Sequence, residues 1–198
     1  MQISAISSYV GETKISMLDL FKNPNLIDKT GIEHVYETEK TTRELAILAA
    51  KGIDEEEFKN VNLVILVTQT PDDFLPTNAV KISTELGVNP NALVFDINQG
   101  CSGFVQAFIL AEKLISSYKK VLVLTADRYR SKLKADDRST SAVFSDGAAA
   151  VLLTNETENS LLYEEHLYDG NKRDWLYHSV DGEQNGGHLH MSGAEVWM

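Results

Sequence analysis

Cys101 is the only cysteine of the chain, and its surroundings are those of a reactive thiol. The apolar run 92–95 predicts a buried strand, and residues 102–118 have the length and composition of a helix. The thiol is therefore expected at a sharp strand-to-helix turn, where the amides and dipole of the helix N-terminus favour the nucleophilic thiolate. Small neighbours leave room for a substrate to approach the sulfur: Gly100, Ser102 and Gly103. A lone cysteine is also commonly a small buried hydrophobe, and on these residues alone that interpretation stays open.

The predicted helix after Cys101 is apolar on nearly every side as far as Ala111. A helix with this pattern is expected inside a protein rather than on its surface. A cysteine that begins a buried helix points to a central active site, at which the thiolate carries an acyl group as a thioester. The backbone N–H of Cys101 is a candidate donor to the oxyanion that forms on the acyl carbonyl.

The elements that must hold this turn alternate between strands and helices. Continuous apolar runs predict strands buried on both faces, at 61–67, 92–97, 121–126 and 148–153. Thr41 and Glu44 fit a capping box, and the helix that they open is expected to close at Gly52 as a C′ glycine. A second helix is expected over 77–86 and ends at Gly87. This alternation predicts a layered α/β/α domain.

The composition limits the class of protein. The chain has 198 residues, 43% of them hydrophobic, which suffices for one substantial core. A net charge of −11 without a basic cluster argues against binding to nucleic acid or to an anionic membrane. One cysteine excludes an intrachain disulfide and suits a reducing compartment. Neither a signal peptide nor an apolar run of about 18 residues is found, so we expect a soluble cytoplasmic protein.

The last fifth of the chain is more polar than the rest. Residues 155–190 predict a strand and long surface loops, a candidate lid over the site. Ser192 and Glu195 fit another capping box, so 191–198 are expected to begin a helix. We interpret 1–190 as one domain, and 191–198 as the start of a helix that opens a further half of a longer protein.

Five segments stand in the order and spacing that β-ketoacyl-acyl-carrier-protein synthase III shows. They are DINQGCSGF (96–104), ADR (126–128), DRST (137–140), FSDGA (144–148) and MSGAEV (191–196). The stretches KTGI (29–32) and TQTPDDFLP (68–76) also resemble the pattern of that family. The resemblance covers nearly the whole chain, and a set of ordered matches is far more specific than any one motif.

The resemblance implies a fold, a reaction and a nucleophile. The family has a thiolase-like, five-layered α/β/α/β/α fold of two similar halves, of which this chain resembles the first. Its members transfer an acyl group from acyl-CoA to a cysteine, here Cys101. A decarboxylating Claisen condensation with a malonyl thioester on acyl carrier protein follows, at the start of fatty acid biosynthesis. The His and Asn that bind the malonyl carbonyl belong to the second half, so the 198 residues alone are expected to be inactive in condensation.

The resemblance also implies ligand contacts and an assembly. Lys29 and Arg138 are implied to bind CoA, which is a substrate, and no cofactor or metal is implied. Members of the family are usually homodimers, in which Leu75 would line the acyl pocket of the partner subunit. Members that start from acetyl-CoA usually carry a Trp that stacks on the adenine, whereas residues 25–29 here contain no aromatic residue. Lys29 stands where Arg is usual and lacks its planar geometry.

Other functions remain open on the sequence. One is a different thiolase-superfamily acyltransferase that uses Cys101, such as one that forms esters or a hydroxymethylglutaryl-type product. Another is a dimerising fragment or scaffold subunit that does no chemistry. His188 and His190 alternate along an extended stretch, but no cysteine or acidic cluster accompanies them as a metal site would require. They are the first candidates for local substitutes if the chain alone proves active. The acyl primer and the pathway, including specialised metabolism, are left undecided.

Overall fold

The computed structural model describes residues 1–134, 137–156, 163–178 and 187–196. Parts of the predicted lid, 157–162 and 179–186, and the last two residues of the predicted terminal helix lie outside them. The chain divides into two units. The first comprises Met1–Val10, Glu39–Asp127 and Gly147–Glu164, and the second Gly11–Thr38, Arg128–Asp146 and Glu165–Met198.

The strands, in chain order, are β1 (Gln2–Val10), β2 (Thr13–Ser16), β3 (His34–Glu37), β4 (Leu63–Val67), β5 (Leu93–Ile97), β6 (Lys120–Arg128), β7 (Asp146–Thr154), β8 (Leu176–His178) and β9 (Leu189–Met191). The α-helices are α1 (Met17–Phe21), α2 (Pro24–Thr30), α3 (Thr42–Ala50), α4 (Glu55–Phe58), α5 (Asn78–Glu85), α6 (Gly103–Tyr118), α7 (Arg138–Ser141) and α8 (Gly193–Val196). Helix α8 begins where the sequence predicts a helix.

The first unit is built on a five-stranded sheet in the order β1-β7-β6-β4-β5. Strand β4 runs parallel to β5 and to β6, while β1 pairs with β7 antiparallel. All five residues of β4 are buried, as its continuous apolar run predicts. The four strands predicted from apolar runs all form within two residues of their expected bounds.

Helices cover both faces of this sheet, which confirms the α/β/α layering. Alternate side chains of β4 point to opposite faces, so Val64 and Leu66 pack with α3 and α5 in one core. On the other face Leu63 and Ile65 pack against Ala107 and its neighbours on α6. The central strand is thus hydrophobic at every position because each face meets a helix layer.

Two predictions of complete burial are wrong. Among the described residues β5 is an edge strand, with Leu93 43% exposed, although its apolar run predicted burial on both faces. Helix α6 fully buries only the stripe of Gly103, Ala107, Ala111 and Ile115, which a 3.6-residue period places against the sheet. Its opposite stripe stays open, and Val105 is 57% exposed.

Of the three helix boundaries predicted from capping residues, two are confirmed and one is wrong. Thr41 and Glu44 form the reciprocal capping box of α3, and Gly87 follows α5 with a φ of +68°. Gly52 does not adopt the left-handed conformation expected of a C′ glycine, because its φ lies outside the positive range. A Cβ there would lie 2.0 Å from the Ser7 hydroxyl oxygen, so close approach to β1 requires this glycine.

The second unit consists of short elements, of which the sequence predicted α8 and a strand within 155–190, where β8 forms. Strands β2 and β3 form one antiparallel hairpin, and β8 and β9 form another. Met17, Val35 and Ala142 form its buried centre, and side chains of α2 pack around them. Residues 163–169 are exposed and have no regular structure, as the loop prediction for 155–190 expects.

Candidate active site

The Cys101 thiol lies at the strand-to-helix turn that the sequence predicts. Strand β5 ends at Ile97, a 3₁₀ turn spans Gly100–Ser102, and α6 begins at Gly103. Gly100 has a φ of +59°, a left-handed conformation that glycine adopts without strain, and this bends the chain sharply. Cys101 is exposed in the first unit, so it is not the small buried hydrophobe that a lone cysteine commonly is. An exposed sulfur at this turn is accessible to an electrophile.

Gly103 fixes the start of α6 against the sheet. A Cβ at this position would lie 2.5 Å from Cγ1 of Val67, the last residue of β4. Its N–H donates to the carbonyl of Gly100, and the Ser102 hydroxyl donates to the carbonyl of Gln99 at 3.0 Å. Gly103 was expected to make room for substrate, but it makes room for Val67 instead. The start of α6 therefore lies close to the end of β4, and this contact fixes the position of the thiol relative to the sheet.

A partly buried carboxylate organises the neighbouring loop at the same edge of the sheet. Asp127 lies near the end of β6, and its Oδ1 accepts from the backbone N–H groups of Gln69 at 2.7 Å and Thr70 at 3.0 Å. The hydroxyls of Thr68 and Thr70 donate to the same oxygen at 3.2 and 3.0 Å. Burial raises the pKa of Asp127 from 3.8 to about 6, against these hydrogen bonds, which lower it.

The loop then continues into an arm, residues 71–76, whose base is fixed. The Asp72 carboxylate caps α3 by accepting from the backbone N–H groups of Thr42 and Arg43, both at 2.9 Å. The Asn78 side chain accepts from the N–H of Asp72 at 3.1 Å and donates to the carbonyl of Asp73 at 3.0 Å. These contacts hold both ends of the arm.

The tip of the arm is apolar and exposed. Phe74 is 77% and Leu75 88% exposed. Asp96 of β5 supports the far end of the arm, since its carboxylate accepts from the N–H groups of Asn78 and Ala79, both at 2.8 Å. The fold thus holds two large hydrophobic side chains in solvent on a rigid base, which is unusual unless another surface covers them.

The second unit contains a cavity of about 540 Å³ that brings Lys29 and Arg138 together. Its lining residues are Leu26, Lys29, Thr30, Arg138, Ser139, Ala142, Val143 and Gly193. Lys29 comes from the last turn of α2 and Arg138 is the first residue of α7. Both are exposed, and none of the described lining residues is aromatic. Two cations over an apolar wall suit a ligand with phosphate groups and an apolar or neutral body.

Local hydrogen bonds place the two helices that line this cavity. The Asn23 side chain caps α2, which ends at Gly31 with a φ of +69°. The Asp137 carboxylate caps α7 by accepting from the N–H of Ser139 at 2.9 Å, and from the Thr140 hydroxyl at 3.0 Å. The side chain of Arg138 is therefore carried by a capped helix start and extends from it into solvent.

The FSDGA segment is structural. The buried Asp146 carboxylate accepts from the backbone N–H groups of Thr38 at 3.0 Å and Arg130 at 2.7 Å. Burial raises the pKa of Asp146 above its ordinary value, and these hydrogen bonds oppose that shift. Ser145 accepts from the N–H of Tyr36 at 3.0 Å. Both side chains hold backbone groups of the second unit in place.

Of the two histidines considered as substitutes, His190 has local partners. Neither belongs to a metal-binding group among the described residues. The Nε2 atom of His190 lies 3.3 Å from the Ser192 hydroxyl, and its ring centroid lies 5.0 Å from that of Tyr177. Within the described residues, no three His, Cys, Asp or Glu side chains are grouped to hold a metal ion. No helix in the described ranges is both long and apolar enough to span a membrane.

Comparison with known proteins settles the family. The sequence model of 3-oxoacyl-[acyl-carrier-protein] synthase III matches residues 95–170. The chain is 35% identical over 186 residues to the synthase III of Lactococcus lactis, which covers 87% of this chain and 56% of the relative. It is 34% identical over 220 residues to that of Rhodospirillum rubrum, with coverage of 98% and 66%. A crystal structure of a 3-oxoacyl-(acyl-carrier-protein) synthase III superposes with a TM-score of 0.83 at 30% identity, over 98% of this chain and 68% of that one.

The chain belongs to the 3-oxoacyl-[acyl-carrier-protein] synthase III family. The family member from Aquifex aeolicus superposes with a TM-score of 0.88 at 29% identity, over 99% of this chain. A hydroxymethylglutaryl (HMG) synthase of curacin biosynthesis, at 22% identity and a TM-score of 0.70, shares the fold alone. The chain spans 56% to 66% of the length of the synthase III relatives above from the two bacteria.

Within the synthase III family match lie Cys101, Asp127 and Arg138, while Lys29 and Leu75 lie before it. The structure brings Lys29 and Arg138 to one cavity and leaves Leu75 on the exposed arm. Sequence reasoning assigned no function to Asp127 or Asp96. Asp96 and Asp127 each stand one position before the last residue of a strand, Ile97 and Arg128, and that position was the available signal.

Proposed function

We propose that the full-length protein is a condensing enzyme that uses Cys101 as its nucleophile. The thiolate attacks the carbonyl carbon of an acyl-CoA, the CoA thiolate leaves, and the acyl group remains on the sulfur. A malonyl thioester on acyl carrier protein then loses carbon dioxide, and the resulting carbanion attacks the acyl group and releases the thiolate. The product is a β-ketoacyl thioester of the carrier protein, and we place the reaction in cytoplasmic fatty acid synthesis.

The exposed thiol on the 3₁₀ turn before α6 carries this proposal. The turn fixes the sulfur at the start of a 16-residue helix, where an acyl donor can reach it from solvent. Among the described residues it is the only cysteine, and it lies within the residues that match the family. We assign one donor of the oxyanion hole to the backbone N–H of Cys101. The donors to the malonyl carbonyl are expected in the remainder of the longer protein.

We further propose that Lys29 and Arg138 bind the phosphate groups of the acyl-CoA. Both lie on the wall of one cavity, and charge-assisted hydrogen bonds from Arg and Lys are the usual means of phosphate recognition. Ser139 also lines the cavity, and its hydroxyl offers a neutral donor. CoA enters as the substrate's carrier, so the proposal needs no further cofactor.

We propose a homodimer as the assembly. Strand β5 has Leu93 43% exposed and is an edge of the described sheet, which leaves it available to pair with another strand. Phe74 and Leu75 stand in solvent on a rigid arm nearby in the same unit. A second copy that covers both features would bury apolar surface, and Leu75 would then line the acyl pocket of that copy.

Intact mass measurement of the full-length protein tests the acylation step. Incubation with an acyl-CoA should add one acyl group, which Cys101→Ala loses and the neighbouring variant Ser102→Ala keeps. With malonyl-carrier protein present, the wild type should release a β-ketoacyl product. An adduct that persists in Cys101→Ala, or condensation at the wild-type rate in that variant, would exclude the proposed nucleophile. An ester or hydroxymethylglutaryl product would assign the protein to another acyltransferase class.

The 198-residue chain provides a second test. It should give no ketoacyl product, because donors to the malonyl carbonyl are expected outside it. Product formation by the purified chain would contradict this assignment and direct attention to His188 and His190.

Sedimentation velocity at micromolar concentration tests the dimer. The full-length protein should sediment as a dimer, and Leu75→Ser should raise the dissociation constant by about tenfold, since one large side chain leaves the interface. Leu18→Ser is the control, because Leu18 is 49% exposed in the second unit. A monomeric wild type at 50 micromolar (about fiftyfold above a typical dimer Kd of about 1 micromolar) would exclude both the dimer and the role of Leu75.

A further inference from the structure

The loop that follows β4 depends on a single oxygen atom. Asp127 Oδ1 accepts four hydrogen bonds, two from backbone N–H groups and two from hydroxyls, all from residues 68–70. Donors to an ionised carboxylate form stronger hydrogen bonds than donors to a neutral acceptor. The loop forms no helix, and this acceptor receives more of its hydrogen bonds than any other atom, so its shape depends strongly on Asp127.

One side of the loop leads to the catalytic turn. The N–H of Thr68 donates to the carbonyl of Ile97 at 3.1 Å, four residues before Cys101. The preceding residue, Val67, is the one that Gly103 approaches at the start of α6. A shift of Thr68 would therefore move the strand end and the helix start on either side of the thiol.

The other side leads to the arm. The Thr42 hydroxyl donates to the carbonyl of Thr70 at 2.5 Å, and the N–H of Thr42 donates to Asp72 at 2.9 Å. The arm with Phe74 and Leu75 begins directly after Thr70. One hydrogen-bond network thus joins Asp127 to the Cys101 turn and to the arm. The proposed function assigns chemistry to the first and specificity to the second.

We propose that Asp127 is a positioning residue, which holds the Cys101 turn and the arm in their mutual register at the carboxyl edge of the sheet. This inference rests on the proposed function. It assigns Asp127 no contact with substrate and no step in proton transfer.

The energetics support a role other than folding stability. Because burial raises the pKa of Asp127, the ionised carboxylate is less favourable in the folded protein than in the unfolded chain at neutral pH. Perturbed pKa values of this kind are enriched at functional sites, so the shift agrees with the role that the hydrogen-bond geometry indicates.

The test compares three variants of the full-length protein: Asp127→Ala, Asp127→Asn and Leu152→Ala. Asparagine keeps an oxygen acceptor in the same place. Leu152 is 1% exposed in β7 and makes none of these hydrogen bonds, so Leu152→Ala lowers stability without touching the network. All assays are run below the unfolding transition of every variant.

Asp127→Ala should lower kcat by about 20-fold with the KM for acyl-CoA changed less than about threefold, since misplaced groups affect the chemical step. Asp127→Asn should recover most of that loss, and Leu152→Ala should stay within about twofold of wild type. Amide hydrogen exchange at residues 68–72 should speed up about tenfold in Asp127→Ala, with residues 148–153 unchanged.

Two results would overturn the proposal. One is a kcat of Asp127→Ala within about twofold of wild type, and the other is unchanged exchange at 68–72. If Asp127→Ala fails to fold, the same exchange measurement on Asp127→Asn decides, with a smaller increase expected at 68–72 only. Hydrogen exchange needs no activity, so a failure of the proposed function, seen when Cys101→Ala stays active, is distinguishable from a failure of this inference.

Discussion

The turn that carries Cys101 and the cavity lined by Lys29 and Arg138 are built in opposite ways. Cys101 is placed by backbone: a left-handed glycine, a helix start pressed on a strand end and a loop fixed by Asp127. Lys29 and Arg138 are exposed side chains on two short helices. A reacting atom must lie within a fraction of an ångström of its target, whereas a cation reaches a phosphate over a broader range. Substitutions should therefore disturb the local backbone geometry at the first region and only ligand binding at the second.

The largest expected effect is the pH dependence that Asp127 gives to the free energy of unfolding. Between pH 3.8 and about 6 the folded protein holds a proton on Asp127 that the unfolded chain has lost. The free energy of unfolding therefore falls as pH rises through this window, by up to about 3 kcal/mol from this group. Asp127→Asn should lack that fall, so its stability relative to wild type rises from pH 4 to 6.5. Urea denaturation across this range measures the difference.

The control for this experiment is Asp28→Asn, which replaces an exposed carboxylate on α2. Its stability difference from wild type should stay flat over the same range. A flat difference for Asp127→Asn as well would show that Asp127 is not desolvated as described.

Gly103→Ala should destabilise the fold by about 2 kcal/mol, because the new methyl group overlaps Val67. The double variant with Val67→Ala should recover about 1 kcal/mol of the summed loss, since the two sites share one space. Urea unfolding gives the energies, and the iodoacetamide rate at Cys101 reports the turn. Gly170→Ala is the control, as a Cβ there meets nothing within 4 Å. Strict additivity of Gly103→Ala and Val67→Ala would contradict the close contact.

At the cavity, Arg138→Ala and Lys29→Ala should each weaken acyl-CoA binding by about tenfold, because each removes one charge-assisted contact. Stability should stay within about 0.5 kcal/mol of wild type, as expected for exposed side chains. Isothermal titration and thermal unfolding separate the two effects. Lys14→Ala, an exposed lysine of β2, should change neither. Equal loss of binding in Lys14→Ala would indicate general electrostatics rather than a site.

The smallest expected effect is a gain in affinity for acyl-CoA. Leu26 lines the cavity, where no described lining residue is aromatic. Leu26→Trp should tighten binding of an acyl-CoA by about fivefold, because a ring can stack on the adenine. The phosphopantetheine thioester of the same acyl group lacks adenine and should show no gain. An equal gain for both ligands would mean that the tryptophan acts on the cavity wall, not on the base.

The sequence predicted the positions of the strands better than the exposure of their residues. Continuous apolar runs located β4 and β6 because burial on both faces leaves a one-dimensional signal. The same signal failed at β5, since an apolar run does not reveal whether a neighbouring strand or layer is present. Gly52 shows a similar limit: glycine after a helix fits a cap, but its contact with Ser7 depends on a strand 45 residues earlier. Distant contacts of this kind decide the geometry of short helices as well, which is why the cavity itself was not predicted.

Strand β1 has a consequence for synthesis of the protein. Val10 pairs with Gly147 and Gln2 with Thr154, so β1 must wait for β7, which is the last of the five described strands of its sheet in chain order. At about 5–20 residues per second, the ribosome needs roughly 7 to 30 s to deliver that partner. The parallel strands β4, β5 and β6, with the cysteine turn between them, emerge earlier. Meanwhile the nascent chain carries a β1 whose Ile6, 65% exposed even after pairing, is open to chaperones that bind extended apolar segments.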